Sequence, residues 1–387
     1  MYAHRVNSVV TTFFGPGAIA LLPEEIKKRS LHRALIITDK FLYESGTATI
    51  VGNELLKAGS EYAIYYQVLP NPSVDVVREC AHAAKALEVD YLVAVGGGSA
   101  IDTAKAVGIL MTNGGEIEQY EGVNKSQNPS LPIVVVNTTA GTGSEVTTFY
   151  IVTNPRTHSK MVMIDTNCQV AIAVNDIDFM KSMPKKLTAC TGMDAMTHAI
   201  ESVLSKYATP FTDKDALWAI KTVKEYLPRV VENGNDLEGR NMMSYAEYTA
   251  GMAFSNSGLG MVHAMAHSLG GFYNLAHGVC NSILLPYVME FNGQDPEIQP
   301  RYKLIAEALG IPGAKEMDPK AAVEASVSCI KNLCNQVGIP KSFKELNVKK
   351  EDFPQLAELA LVDTCMPSNP VQPTKEDVIQ IYAKACC

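Results

Sequence analysis

The sequence predicts two domains: an α/β domain built on a mainly parallel sheet, then an all-α domain. Two observations carry that expectation. Before about residue 180, short unbroken apolar runs alternate with helix-periodic segments at the spacing of β–α units. Unbroken apolar runs, rather than alternating ones, mark strands buried on both faces. From Lys185 onward such runs cease, and helical patterns rich in Ala, Met, Leu and Glu take over. The Met183–Pro184 junction accordingly divides the chain into 1–183 and 184–387.

Val9–Phe14 is β-branched and aromatic and is ended by Gly15-Pro16-Gly17, with a helix over Pro23–Arg29. RALIIT at 33–38 is a buried strand closed by Asp39. Thr47–Ala58 has helical spacing, and Tyr62–Tyr66 is the next strand. Ser73 is placed to cap a helix running to Leu87. YLVAV at 91–95 is a further buried strand, followed at once by GGGS at 96–99 and the helix IDTAKAVGILM. IVVVN at 133–137 runs into TTAGTGSEVT, and Met161–Ile164 with Val170–Val174 form a final pair of strands. In the second domain LTACTGMDAMTHAIESVLS, DALWAIKTVKEYLPRVV, MSYAEYTAGMAFS and VHAMAHSLGGFYN read as helices. More helices follow Tyr302, broken by Gly-Ile-Pro at 310–312 and 338–340.

At 387 residues, 47% hydrophobic and 19% charged, the chain has length for two substantial cores and a composition that is neither disordered nor membrane-spanning. A net charge of −8 without any basic block argues against nucleic acid as a partner. The stretch MYAHRVNSVVTTFFG lacks a long apolar segment after a basic start, and no apolar run reaches membrane-spanning length. The expectation is a cytoplasmic protein with no membrane partner. The nine cysteines are scattered, odd in number and never spaced C-x-x-C, which reads as reduced thiols rather than a disulfide framework or zinc ribbon.

Chemistry-bearing residues concentrate in TGMDAMTHAIES and in MVHAMAHSLGGFYNLAHGV. Of eight histidines, four fall between His198 and His277. Asp194 and His198 are spaced i, i+4, as are His263 and His267, so on a helix each pair shares a face. Either pair alone serves as readily for a hydrogen bond on a helix surface. Both pairs lie in Gly- and Met-rich segments with few other charges, where a buried carboxylate or imidazole needs a partner. Asp194, His198, His263 and His277 together supply one carboxylate oxygen and three imidazole nitrogens, a donor set for a divalent cation.

Two glycine-rich turns follow buried strands in the first domain. GGGS lets the backbone approach a phosphate and opens a helix whose N–H groups attract negative charge, although tight strand–helix turns use glycine for packing as well. The hydroxyls of TTAGTGS would bond phosphate or ribose, or cap the next helix. Asp39, at a strand end, would accept hydrogen bonds from ribose hydroxyls and repel a 2′-phosphate, favouring NAD, or would serve simply as a turn residue.

In combination, GGGSAIDTAK at 96–105, NTTAGTGSEVT at 137–147, TGMDAMTHAIE at 191–201 and the region from Gly260 to Gly278 resemble the iron-dependent (group III) alcohol dehydrogenases. The resemblance extends from FFGPGA at 13–18 to the C-terminal helices and looks closest to the branch of lactaldehyde/1,2-propanediol oxidoreductase and 1,3-propanediol dehydrogenase. It implies an N-terminal Rossmann-like nucleotide-binding domain and a metal-binding helical domain, the plan of the dehydroquinate synthase-like proteins. By the matching motifs the metal ligands are Asp194, His198, His263 and His277, with Fe(II) the family's habit and Zn(II) or another divalent ion equally suited to the donors. His267 matches a histidine beside the nicotinamide and is the candidate proton relay, with support of the metal site as its other reading. Asp39, Asn71, Gly97, Gly98, Ser99, Asp102, Thr138, Thr139, Thr142 and Lys160 match nucleotide-contacting positions. Phe149 matches a position lining cofactor and substrate where close relatives carry smaller or polar residues. The implied activity is metal-polarised hydride transfer between NAD(H) and a small aldehyde or primary alcohol, in a homodimer or larger assembly.

Two other enzyme classes share this plan. A dehydroquinate synthase-like lyase needs a cluster of basic residues for carboxylate and phosphate, and Lys206, Lys214, Lys221, Lys224, Arg229 and Arg240 do not adjoin the ligand motifs. A glycerol-type polyol dehydrogenase normally lacks one of these histidines.

Overall fold

The computed structural model describes residues 5–387; Met1–His4, where the targeting reading of the N-terminus begins, lie outside the described residues. The chain forms two compact units. One runs to Thr139 and resumes from Gly143 to Ser182; the other comprises Ala140–Thr142 and Met183–Cys387.

The first unit contains β1 (Thr11–Phe14), α1 (Leu22–Lys28), β2 (Arg33–Asp39), α2 (Lys40–Glu44), α3 (Thr47–Lys57), β3 (Glu61–Val68), α4 (Val74–Ala86), β4 (Tyr91–Gly96) and α5 (Gly98–Asn113). It continues with β5 (Gly122–Val123), β6 (Ile133–Asn137), β7 (Phe149–Asn154), β8 (Ser159–Ile164) and β9 (Ile172–Asn175). The main sheet has six strands in the order β1-β9-β6-β4-β2-β3, every neighbouring pair parallel.

Side chains alternate across this sheet, and both faces are covered. Ala34, Ile36, Val93, Val95, Val134, Val136 and Val174 pack with Leu22, Ile26, Val51 and Leu55 of α1 and α3. Leu35, Ile37, Leu92, Ala94, Ile133 and Val135 pack with Val77, Cys80, Ile101 and Ala104 of α4 and α5. That double burial is why the strands are unbroken apolar runs. As expected of a residue with a β-region backbone before a helix, Ser73 caps α4 by accepting a hydrogen bond from Val76 N at 3.3 Å.

One expectation fails. Residues 161–164 and 170–174 do not pair with each other. β8 pairs antiparallel with β7 and parallel with β5 in a separate three-stranded sheet, whereas β9 enters the main sheet between β1 and β6. The cause is a hairpin: the turn at 155–158, with His158 at φ 52°, folds β8 back on β7. β7, over Phe149–Asn154, is a strand absent from the sequence-based expectation.

The second unit contains α6 (Lys185–Leu204), α7 (Pro210–Glu232), α8 (Leu237–Ser257), α9 (Met261–Tyr273), α10 (His277–Asn292), α11 (Gln299–Ala308), α12 (Pro319–Val337), α13 (Phe353–Leu361) and α14 (Lys375–Ala385), with no strand among the described residues. α6 is buried at every position from Thr191 to Leu204, so its polar side chains must find partners inside the protein. Residues 261–279 are not one helix. Asn274 adopts a left-handed conformation, φ 54°, that ends α9, and His277 opens α10. No helix among the described residues is long and apolar enough to cross a membrane.

Candidate metal centre and nucleotide-binding edge

Three helices of the second unit deliver the histidines to one point. α6 carries Asp194, His198 and Glu201 on successive turns, α9 carries His263 and His267, and α10 begins at His277. The junction of α6 and α10 is tight: a Cβ on Gly278 would stand 2.4 Å from Cys190 O. Glycine after His277 is what lets that histidine approach Asp194.

One ligand atom from each of Asp194, His198, His263 and His277 lies within 4.8 Å of all the others. Asp194 Oδ1 is 4.0 Å from His198 Nε2, 3.9 Å from His263 Nε2 and 3.7 Å from His277 Nε2. Metal–ligand bonds of about 2.0–2.2 Å put tetrahedral donors roughly 3.3–3.6 Å apart, so these edges exceed that spacing by only a few tenths of an ångström. Asp194, His198 and His263 are buried, and His277 is a quarter exposed, which leaves one side of the cluster accessible. Burial, with His263 beside it, holds the His198 imidazolium well below its ordinary range, so His198 offers a neutral nitrogen. The rings of His198 and His263 stack at 4.7 Å, and Phe254 stacks on the other side of His198 at 4.4 Å. One carboxylate and three convergent imidazoles fit a divalent cation.

Glu201, which the sequence reading passed over, orients this set. Its Oε1 accepts from Val262 N at 2.7 Å in the first turn of α9, and its Oε2 lies 2.5 Å from His263 Nδ1. Carboxylates commonly hold the far nitrogen of a ligating histidine, fixing its tautomer and leaving Nε2 for the ion. Burial pushes the Glu201 carboxyl up to about 8, against the backbone N–H bonds of Val262, Gly260 and His263. The signal was present: Glu201 ends the motif TGMDAMTHAIE, one turn after His198.

His267 stands apart from the four donors. Its Nδ1 lies 2.9 Å from Asp363 Oδ2, and its ring stacks on His277 at 5.3 Å. Burial alone would raise the Asp363 carboxyl, but the His267 ring and the N–H of Cys365, 2.8 Å from Oδ1, hold it below its ordinary value. Asp363 lies 96 residues from its partner, and no local pattern marks it.

In the first unit, β2, β4 and β6 are adjacent and parallel, so their C-terminal ends open on one edge. The register pairs Ile37 with Ala94 and Gly96 with Asn137, which brings Asp39, the Gly96–Ser99 turn and Thr138 level. The chain adds β3 on one side of β2 and β4 on the other, so this edge is a topological switch point, where open α/β sheets bind ligands. Gly96 has φ 153°, and a Cβ on Gly97 would meet Thr139 Oγ1 at 2.7 Å, so glycine is what lets the two loops touch. α5 starts at Gly98 with no side-chain cap, an arrangement suited to a phosphate.

Asp39 caps α2 through Leu42 N at 2.9 Å. Asp102, Lys160, Phe149 and Asn71 lie at or beside the small sheet. Asp102 is buried and accepts from Ile151 N at 3.1 Å; burial pushes its carboxyl up to about 6. Lys160 pairs in register with Thr153, whose N–H donates to Pro72 O, next to the left-handed Asn71. Phe149 opens β7 and is buried. Thr142 belongs to the short segment counted with the second unit. Lys105, the last residue of GGGSAIDTAK, is fully buried and clamps the loop: Nζ donates to Ser144 O at 2.6 Å, Thr147 O at 2.7 Å and Phe149 O at 2.8 Å.

Comparison with known proteins bears on these geometries. Residues 10–177 match the profile of iron-containing alcohol dehydrogenase, and residues 188–386 that of the Fe-containing alcohol dehydrogenase family, C-terminal. Alcohol dehydrogenase 4 of Saccharomyces cerevisiae is 45% identical over 374 residues, 97% of this chain and 96% of that protein. The NAD-dependent methanol dehydrogenase of Bacillus methanolicus is 41% identical over 96% of this chain and 97% of its own. The lactaldehyde reductase of Escherichia coli K12 is 40% identical over 99% of this chain and 100% of its own. A crystal structure of 1,3-propanediol oxidoreductase superposes with a TM-score of 0.95 at 39% identity, covering 99% of this chain and 100% of that one.

Proposed function

Because this chain belongs to the iron-containing alcohol dehydrogenase family, we propose that Asp194, His198, His263 and His277 hold its divalent cation. As a member, the protein is an NAD-linked alcohol dehydrogenase or aldehyde reductase acting on a small primary alcohol or its aldehyde. The observation that supports the ligand assignment is the convergence of those four side chains, from three helices, on a single buried point.

A cation in such a site supplies Lewis-acid polarisation of an alcohol or carbonyl oxygen, and NAD(H) supplies the two-electron carrier. The chain does the rest. Glu201 holds His263 Nδ1, which aims Nε2 at the other donors. Asp363 does the same for His267, leaving Nε2 of His267 as the atom that takes or returns the substrate proton. Gly97, Gly98 and Ser99 receive the pyrophosphate, Thr138, Thr139 and Thr142 add hydroxyls, and Asp39 receives the adenosine ribose and disfavours a 2′-phosphate. Asn71, Asp102, Phe149 and Lys160 complete the nucleotide contacts. No cysteine is needed for any step.

Fe(II) is the cation of first choice, with Zn(II) able to replace it in the same donors. The protein works in the cytoplasm as a homodimer or larger assembly. Nine free cysteines support a reducing compartment, and Val10, 76% exposed beside the edge strand β1, supports self-association.

The test is NADH oxidation with a panel of small aldehydes before and after chelation, with metal analysis of the same sample. Chelation should abolish turnover, and Fe(II) or Zn(II) should restore it. Full turnover by metal-free protein would overturn the assignment.

A further inference from the structure

Asn281 stands one helical turn beyond His277 on α10 and is fully buried. Its Nδ2 lies 2.6 Å from Asp194 Oδ1, 3.0 Å from His263 Nε2 and 3.1 Å from His277 Nε2. Three of the four atoms assigned to the cation therefore face one carboxamide nitrogen. The other end of the same amide is poorly served: no donor among the described residues reaches Oδ1, which is buried. An amide left with a buried, unmatched oxygen costs stability unless its nitrogen makes contacts that outweigh it. Here those contacts are the lone pairs of the donor set. A lone pair that accepts an N–H cannot at the same moment bind a metal ion, and an amide carries only two N–H bonds for these three acceptors.

From this we propose that Asn281 sets how tightly the protein holds its cation, by competing with the ion for the single lone pairs of His263 Nε2 and His277 Nε2. The proposal rests on the assignment of those residues as ligands. It makes Asn281 a positioning residue with a definite sign. In metal-free protein the amide ties the donors together; in loaded protein its bonds to the two imidazole nitrogens must be given up, while Asp194 Oδ1, with a second lone pair, can keep its own. Removing the amide should therefore destabilise the metal-free form more than the loaded form, which by linkage is tighter binding.

The experiment uses full-length protein stripped with a chelator and titrated with Zn2+ against a competing indicator, with thermal unfolding recorded with and without Zn2+. Asn281→Ala is the main variant, and Asn281→Ser serves if it folds poorly. The expected result is a Kd for Zn2+ about tenfold lower than wild type, the equivalent of one hydrogen bond to a charged or strongly accepting group. The rise in Tm on adding Zn2+ should be larger than in wild type. A Kd that is unchanged or higher overturns the proposal, since it would make the amide either inert or a support for the loaded site. The ligand assignment fails separately: wild type would then take up no stoichiometric Zn2+, or His198→Ala would take up as much as wild type.

Discussion

Glu201 Oε2 lies 2.5 Å from His263 Nδ1 while its Oε1 accepts the N–H of Val262. One carboxylate thus fixes both the start of a helix and the tautomer of a histidine on it. Glu201→Gln keeps the size but replaces one acceptor oxygen with an amide NH2, which donates and cannot accept. It should weaken metal retention by about 10- to 100-fold, the usual effect of losing such a partner. Metal content after dialysis against a graded chelator series measures this, and retention equal to wild type would show that His263 needs no help.

His267 and Asp363 form the second such pair, 2.9 Å apart. If His267 moves the proton, His267→Ala should lower kcat by about 10²- to 10⁴-fold, with the cation still bound. Asp363→Asn should lower it less and alter the pH profile. Metal analysis beside steady-state kinetics separates this from simple loss of the ion. An unchanged rate and pH profile in metal-replete His267→Ala would end the relay.

Phe149 is buried at the start of β7, and its carbonyl oxygen is held by the Lys105 ammonium at 2.8 Å. A ring fixed there should restrict substrates to two- to four-carbon aldehydes. Phe149→Ala should raise kcat/KM for longer aldehydes relative to the short ones. A flat chain-length profile in the variant would remove Phe149 from the substrate pocket.

Asp102 makes a prediction about stability rather than rate. Burial, against the pull of Lys105 and the Ile151 N–H, raises its carboxyl from 3.8 to about 6. A carboxyl raised on folding favours the folded state most below its unfolded value, and that advantage is lost as pH rises through the folded value. Asp102→Asn still accepts from Ile151 but does not titrate. Between about pH 4 and pH 7 wild type should lose about 3 kcal/mol relative to the variant, an order-of-magnitude figure. Denaturant unfolding across that range tests it; parallel pH curves would show that Asp102 keeps an ordinary acidity.

The parallel strands were legible because sheet burial on both faces leaves an unmistakable imprint. Every residue from Ala34 to Thr38 and from Ile133 to Asn137 is buried, and these runs are β2 and β6. The β7–β8 hairpin was not legible, because its strands mix Thr, Asn, Ser and Lys with apolar residues and its turn is not one of the short glycine-bearing kinds. Within the helical unit, Asp194 and His198 announced themselves by spacing on one helix. That His277 reaches them is a matter of tertiary packing, of Gly278 against Cys190 O, and no periodicity encodes it. Asp363 was invisible for the same reason, since its partner is remote in sequence.

The edge strand β1 has a consequence for how the protein is made. Among the described residues Thr11–Phe14 pairs as a strand only with Ile172–Asn175, and Asp176 accepts the N–H groups of Gly17 and Ile19, each at 3.1 Å. On the ribosome β1 must therefore wait for some 160 further residues before it meets its neighbour, a long-range closure of the kind that slows folding. Until then an apolar, hydrogen-bond-hungry ribbon is on offer to whatever holds nascent chains, and a ribosome stalled ahead of Ile172 would release a fragment whose sheet lacks its last two strands.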